Sequence, residues 1–183
     1  MCIRDRINFS LICALYAGLF WMPSIIKSSG ATVLQAGMYS AIPFVLGGVA
    51  MWFCSKHSDA HRERRWHYVG SSVSMMVGFL LLIAFEGNLP ISLLGLTTII
   101  GGAMVGTVVF WPIPQAYLSA TAAAGGIALI NCLALLGGFV SPFVLGYIKT
   151  STGSLTYGFY GNMALLAIGA AMIIIFVPHD VER

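Results

Sequence analysis

Long stretches without acidic or basic side chains dominate the pattern of apolar and polar positions. Residues 7–26, 28–55, 68–85, 87–148 and 156–178 contain no Asp, Glu, Lys or Arg. Crossing the hydrocarbon layer of a bilayer takes about 20 apolar residues in helical conformation. A transmembrane β-barrel is built instead from short segments of alternating polarity, whereas these stretches are continuous. The pattern therefore predicts an all-α membrane protein.

Polar turns and prolines divide these stretches into six transmembrane helices. Gly30 marks the first turn, and Thr32 is expected to be the N-cap of the second helix. The fourth helix is expected to be disturbed at Pro112 and Pro114, because proline removes a backbone donor. Residues 1–6 are interpreted as a leader that need not be native. The predicted spans are residues 7–28, 32–55, 68–85, 91–117, 122–148 and 156–177, followed by a cytoplasmic tail at 179–183.

The composition agrees with a membrane environment. Of the 183 residues, 58% are hydrophobic and 8% are charged. Soluble domains average about 25% charged residues, so a water-exposed fold of this size would have too few charges to cover its surface. A lipid bilayer is therefore the expected partner. The net charge of +3 is interpreted as a topology signal, and no nucleic-acid partner is expected.

Lysines and arginines are distributed unequally between the two ends of the predicted bundle. Because successive spans cross in opposite directions, only Lys27 and Lys149 fall on one side. Loops rich in Lys and Arg remain in the cytoplasm. Both termini and the loop at 56–67 are therefore predicted to be cytoplasmic, in a cell membrane interpreted as a bacterial inner membrane. The basic residues on that side are Arg4, Arg6, Lys56, Arg62, Arg64, Arg65 and Arg183.

Two short strings recur along the chain at one offset. The pair FW at 20–21 recurs at 110–111, and LGG at 46–48 recurs at 136–138. This offset aligns the first helix with the fourth and the second with the fifth. Transporters commonly contain inverted repeats of three helices. A 3+3 inverted repeat is the favoured interpretation, with chance recurrence of such short strings as the alternative.

The most specific segment is SKHSDAHRERR at residues 55–65. Asp59 is predicted near the C-terminal end of a helix, where the negative end of the helix dipole disfavours an acid unless a cation is close. Arg64 and Arg65 can supply that cation through bidentate bonds. Such a contact can hold two helix ends together in one conformation and release them in another. The alternative is a basic loop without a gating role.

This segment resembles the cytoplasmic loop motif of the major facilitator superfamily, Gly-x-x-x-Asp-x-x-Gly-Arg-Arg. Asp59, Arg64 and Arg65 match the acid and the basic pair of that motif, while Ser55 departs from its opening glycine. Further segments are similar to the anion:cation symporter group of the superfamily, and the resemblance covers nearly the whole chain after residue 7. These segments are FWMPSIIK at 20–27, SAIP at 40–43, HSD at 57–59, ERRWH at 63–67, FWPIP at 110–114, LSATAAA at 118–124, GIALIN at 126–131 and GGFVSP at 137–142.

The resemblance implies the C-terminal half of a major facilitator fold, because it matches only the second half of that family's twelve helices. It further implies secondary transport of small organic anions such as tartrate, glucarate, galactonate or phthalate. Members of the group usually couple this transport to protons and work by alternating access. An N-terminal six-helix half that is missing here is then the expected partner.

Polar and aromatic side chains within the spans are the candidate substrate contacts, since polar groups in a membrane face a cavity or another helix. Asn131 offers donors and an acceptor for a carboxylate or a hydroxyl, or alternatively for an interhelical hydrogen bond. Trp111 lies at the proline break with an indole donor, and an interfacial aromatic belt is its alternative. Tyr16 and Asn8 lie two turns apart on one face of the first helix.

Neither catalysis nor metal binding is indicated by the sequence. The four histidines fall outside the predicted spans, and the four cysteines show no paired spacing, so no metal or cofactor is expected. The only charged residue in the predicted spans is Lys27, at the end of the first, so a titratable carboxylate and a cation that faces the substrate are both expected in the missing half. The chain is expected to be a fragment that does not transport alone. The alternatives are a half-size carrier acting as a homodimer and a non-transporting membrane scaffold; a membrane enzyme lacks a candidate catalytic pair.

Overall fold

The computed structural model describes residues 2–61, 63–117 and 120–176, and this part of the chain is helical apart from short turns. Within these described residues, six helical stretches are long and apolar enough to cross a membrane, so the prediction of an all-α membrane protein with six transmembrane helices is confirmed. The helices are α1 (Cys2–Ser28), α2 (Val33–Tyr39), α3 (Ala41–His61), α4 (Arg64–Ala84), α5 (Leu89–Phe110), α6 (Pro112–Tyr117), α7 (Ala120–Thr152) and α8 (Thr156–Phe176).

Prolines interrupt two of the six spans. The second span consists of α2 and α3, which are separated at Ser40. Pro43 would clash with the carbonyl of residue 39 in a continuous helix, which accounts for the break. In the fourth span the helix is interrupted at Trp111, between α5 and α6, as the proline pair predicted. Thr32 caps α2 and forms a capping box with Gln35, as expected for its position.

The helices extend further than the sequence indicated at several ends. The prediction of a loop at 56–67 is wrong, because α3 continues to His61 and α4 begins at Arg64. Polar residues continue a helix readily once an apolar segment has started it, so hydropathy underestimates the helical length. For the same reason α7 runs to Thr152, and α1 begins at Cys2 without a break after the proposed leader. Val177 and the tail at 179–183 lie outside the described residues.

The packing of the helices has the symmetry of the predicted repeat. α1 packs against α7 and α8, and α5 packs against α3 and α4 in the equivalent way. Gly47 and Gly137, which are 90 residues apart, both occupy close contacts. A Cβ atom built at Gly47 would lie 3.1 Å from Cα of Gly101, and one built at Gly137 would lie 3.1 Å from the carbonyl oxygen of Phe9. Small residues at such positions let membrane helices approach closely.

Candidate functional site

The arginine-rich end of the bundle connects three helices. The Arg64 guanidinium at the start of α4 lies 3.5 Å from the Asp59 carboxylate near the end of α3. Arg65 donates a hydrogen bond to the backbone carbonyl of Ile174 in α8. The Asp59 side chain is 70% exposed, and exposed ion pairs contribute about 0–1 kcal/mol. The predicted contact between Asp59 and the basic pair is therefore present for Arg64.

Three histidines also meet at this end of the bundle. His57 Nδ1 lies 2.9 Å from His67 Nε2, and the ring of His61 stacks on that of His57 with 4.2 Å between centroids. His67 Nδ1 also contacts the carbonyl oxygen of Glu63. The contact between His57 and His67 depends on how α3 and α4 pack, so neither segment alone predicts it. Among the described residues, no group of three His, Cys, Asp or Glu side chains is arranged to hold a metal ion.

Tyr16 packs at the junction of α1 and α7, and Asn131 lies further along α7. The Tyr16 ring covers Gly138, where a Cβ atom would lie 3.1 Å from the ring, and it stacks on Phe20. Asn131 is seven residues before Gly138 on α7, which is about 10 Å along the same helical face. Asn131 is exposed, and its side chain bonds to no residue in the described part of the chain. The interhelical hydrogen bond offered as its alternative role is therefore not formed within the described bundle.

Trp111 and Asn8 occupy different surroundings. Trp111 is half-buried at the break between α5 and α6 and packs edge-on against Phe110. Asn8 is 2% exposed, and its side-chain oxygen accepts no hydrogen bond from the described residues. Tyr16 thus packs on Gly138 of α7, and Asn131 is exposed about 10 Å away along that helix. Asn8 is enclosed among helices, and Trp111 lies at the proline break.

The opposite end of the bundle contains a polar cavity of about 220 Å³. Lys149 lines this cavity; its ammonium lies 4.5 Å from the centre of the Trp21 ring and donates to the Ser24 hydroxyl at 3.3 Å. Ser29 and Ser92 exchange a hydrogen bond at the cavity wall. The distribution of basic residues predicted that Lys149 and Lys27 lie on this side of the membrane. The direct contact of Lys149 with Trp21 depends on the packing of α1 against α7.

Ser141 of α7 and Asn162 of α8 form a buried polar pair that was not among the site residues predicted from the sequence. The Ser141 hydroxyl donates to the Asn162 side-chain oxygen at 3.2 Å, and the Asn162 amide donates to the carbonyl of Gly158 at 3.0 Å. Asn162 is a mid-span asparagine like Asn131, so the same reasoning from polar residues in spans could have found it. Its bonds explain its burial as helix-to-helix packing.

The chain is similar to known transporters over almost its whole length. It is 37% identical to a protein named "Putative tartrate transporter" from Agrobacterium vitis over 179 residues, which is 96% of this chain and 40% of that protein. It is 34% identical to "Putative metabolite transport protein NicT" from Pseudomonas putida, over 97% of this chain and 41% of the relative. It is 27% identical to "Inner membrane transport protein RhmT" from Escherichia coli, over 91% of this chain and 39% of the relative. No protein-family model matches the chain.

The six apolar helices and these relatives define a multi-pass membrane protein. The chain belongs to the major facilitator superfamily, as the resemblance at its basic segment indicated. It spans about two fifths of the length of the relatives it matches. Its six helices correspond to one half of the fold of that superfamily.

Proposed function

We propose that this chain is the C-terminal half of a secondary transporter that moves small organic anions, coupled to protons, by alternating access. The observation that carries the proposal is the similarity to a protein named as a tartrate transporter over 96% of the chain. Because that similarity covers 40% of the relative, an N-terminal half is the proposed partner. The substrate and the coupling ion would then bind between the two halves, where repeats of such transporters meet.

Asn131 is the proposed anchor for the substrate. It is an exposed amide on a transmembrane helix, and a polar group at that depth is costly unless it faces a water-filled cavity or a partner. Its amide can donate to a carboxylate, and such hydrogen bonds to charged groups are worth about 1.5–3 kcal/mol. Tyr16 lies next to the same face of α7 and would border the cavity. Trp111 would contribute its indole donor from the break in the fourth span.

The proposed orientation places the arginine-rich end in the cytoplasm, following the bias of basic residues. In this orientation the Asp59–Arg64 contact closes the cytoplasmic side, and the Lys149–Trp21 contact lies at the outer end. We propose that the Asp59–Arg64 contact forms in one conformation and opens in the other. Its distance of 3.5 Å and its exposure suit a contact that breaks easily.

Radiolabelled tartrate uptake into proteoliposomes tests the proposal. The chain alone is expected to show no uptake, and co-reconstitution with the N-terminal half of the Agrobacterium vitis relative is expected to restore it. In the two-part protein, Asn131→Leu should raise KM by about tenfold or more, since the lost bond to a charged group is worth at least about 1.5 kcal/mol. Ile168→Ala on the exposed face of α8 is the matched control and should leave uptake unchanged. Uptake by the chain alone would refute the need for a second half.

A homodimer of two such chains is the second candidate. α3 and α7 expose rows of large apolar side chains, including Trp52, Phe53, Phe139 and Phe143, and these could face a second copy as readily as a different half. Cysteine crosslinking in native membranes separates the two possibilities. A specific crosslink between copies, together with uptake by the chain alone, would favour the homodimer.

A further inference from the structure

A pair of imidazole rings links α3 to α4 at the arginine-rich end of the bundle. His57 near the end of α3 and His67 in the first turn of α4 approach each other through ring nitrogens 2.9 Å apart. The two helices pack mainly on α5 and touch each other little. A cavity of about 460 Å³ lies between the three helices, and His67 is among the residues that line it. The histidine pair is therefore one of the few direct links across this cleft.

The hydrogen bonds around the pair indicate where its ring protons lie. His67 Nδ1 contacts the carbonyl oxygen of Glu63. A carbonyl oxygen only accepts, so this Nδ1 carries a proton. Neutral His67 then has a lone pair on Nε2, and His57 Nδ1 must donate to it across the 2.9 Å gap. The contact is therefore a hydrogen bond that runs from α3 to α4.

This hydrogen bond tolerates one added proton but not two. If His67 takes up a proton on Nε2, that nitrogen becomes a donor, and His57 can accept on Nδ1 by carrying its own proton on Nε2. If both rings are charged, every ring nitrogen carries a proton. Two N–H groups then face each other, and two positive charges repel at close range. Histidine changes charge between about pH 5 and pH 8, so acidification within this range breaks the bond.

The charged groups around the pair come mainly from the adjoining ends of α3 and α4. In the described part of the chain they are Lys56, Asp59, His61, Glu63, Arg64 and Arg65. α1 contacts α4 at Tyr68 and adds Asp5 and Arg6 at this end. The described residues of α2, α5 and α8, which also pack on α3 or α4, contain no His, Asp, Glu, Lys or Arg. Acidic and basic groups are thus mixed here, and histidine is the residue type among them whose charge ordinarily changes near neutral pH.

We propose that His57 and His67 form an acid-sensitive latch between α3 and α4. The latch is closed while at most one of the two rings is charged. It opens when both rings are charged, which widens the cleft at the arginine-rich end. The neighbouring Asp59–Arg64 contact is exposed, and exposed ion pairs contribute little, so it does not replace the histidine bond. The latch is a property of this helix pair and depends neither on the proposed substrate nor on a second half.

Three histidine substitutions separate the latch from simple packing. His57→Asn places an amide where the Nδ1 atom lies. An amide can donate to neutral His67 and accept from charged His67, so this latch should stay closed in acid. His57→Leu removes the bond, so this latch should stay open at any pH. His61→Gln is the matched control, because His61 donates within α3 to the carbonyl of His57 at 3.0 Å, and it should keep the response.

Cys54 reports on the cleft, because it lines the cavity about one turn before His57. Its labelling by a water-soluble maleimide is measured in nanodiscs at about pH 8 and about pH 5.5, a range in which histidine changes charge. The reference is Ser151→Cys, an exposed position at the opposite end of the bundle, and the ratio removes the common effect of pH on thiols. Relative labelling of Cys54 should rise about fivefold in acid, the factor for losing a hydrogen bond of about 1 kcal/mol.

The variants make the outcome decisive. A rise in acid for the parent chain and for His61→Gln, no rise for His57→Asn, and high labelling at both pH values for His57→Leu would support the latch. Equal relative labelling of Cys54 at the two pH values in the parent chain would overturn it. A rise that persists in His57→Asn would also overturn it, because the response would then come from another group.

Discussion

The helices α5 and α7 are similar in sequence character and opposite in environment. Their spans have almost the same mean hydropathy. In the apolar central part of each span, 61% of the residues are buried for α5 and 28% for α7. α5 places Gly95, Gly102 and Gly106 against neighbouring helices. α7 exposes large side chains such as Leu136 and Phe139. An apolar sequence thus indicates that a helix lies in the membrane. Small residues at helix contacts indicate which helix lies at the centre of the bundle.

The different burial of α5 and α7 follows from the properties of the lipid that surrounds the helices. Lipid tails are as apolar as leucine side chains, so little hydrophobic force pushes an apolar membrane helix into the centre of a bundle. Close packing and hydrogen bonds decide the arrangement instead. α5 can approach α4 closely, since Gly95 and Gly78 face one another. α7 leaves an exposed face, which the proposed function assigns to the substrate and the second half.

The largest expected effect comes from truncating one aliphatic side chain on each helix. Ile99 in α5 is fully buried, while Leu136 in α7 is 57% exposed. Ile99→Ala should lower the free energy of unfolding by about 2–5 kcal/mol, because it leaves a cavity among packed helices. Leu136→Ala should change it by less than about 0.5 kcal/mol. Unfolding by SDS in mixed micelles measures both, and equal losses would contradict the difference in packing.

Adding a side chain to a glycine on each helix should have the next largest effect. A Cβ atom at Gly102 in α5 would lie 2.8 Å from the backbone oxygen of Ser71, whereas one at Gly125 in α7 meets no atom of the described side chains within 4 Å. Gly102→Leu should therefore destabilise the bundle by about 1–3 kcal/mol. Gly125→Leu should be neutral or slightly stabilising, because leucine favours the helix. Thermal unfolding in detergent distinguishes them, and tolerance of Gly102→Leu would argue against the close α4–α5 contact.

Two asparagines allow the packed side of α7 to be compared with its exposed side. Asn162 in α8 is buried against Ser141 of α7, and Asn131 is exposed. Asn162→Ala should lower the free energy of unfolding by about 0.6 kcal/mol and by no more than about 1.7 kcal/mol, the average and the maximum found for interhelical hydrogen bonds in a membrane protein. Asn131→Ala should leave stability unchanged and reduce only substrate binding in the two-part protein. A stability loss at Asn131 would indicate a structural role instead.

The smallest expected effect concerns the far end of α7. Lys149 packs over Trp21 of α1, while Lys27 is an exposed lysine at the same end. Lys149→Gln removes a cation–π contact at a partly exposed site, which is worth about 0.5–1 kcal/mol. Lys27→Gln should have no measurable effect on unfolding. Identical unfolding curves for the two variants would show that the contact does not stabilise the junction of α1 and α7.

The sequence predicted much of the fold because its signals were local. Charge-free stretches defined six spans, Pro112 and Pro114 marked the break in the fourth, and Thr32 marked a helix start. The prediction of a loop at 56–67 was wrong, because hydropathy does not reveal the polar end of a helix. The His57–His67 contact was missed for a different reason, since it joins residues on two helices whose relative position is not encoded in either segment alone.

The candidate site was only partly accessible to sequence reasoning. Polar residues in apolar spans drew attention to Asn131, but the same rule applies to Asn162, and only the packing separates an exposed amide from a bonded one. The cavity of about 460 Å³ had no local signal in the sequence, because its walls come from three helices, α3, α4 and α5.

The amino-acid sequence by itself determined that this chain lies in a membrane as six helices, because burying backbone and apolar side chains in lipid depends on the residues of each segment. Tertiary structure alone decided that α5 is central and α7 exposed, and that cavities open between particular helices. Those outcomes depend on which small residues meet across helices. In a bilayer one apolar helix face resembles another, so close packing at these small residues decides which helices become neighbours.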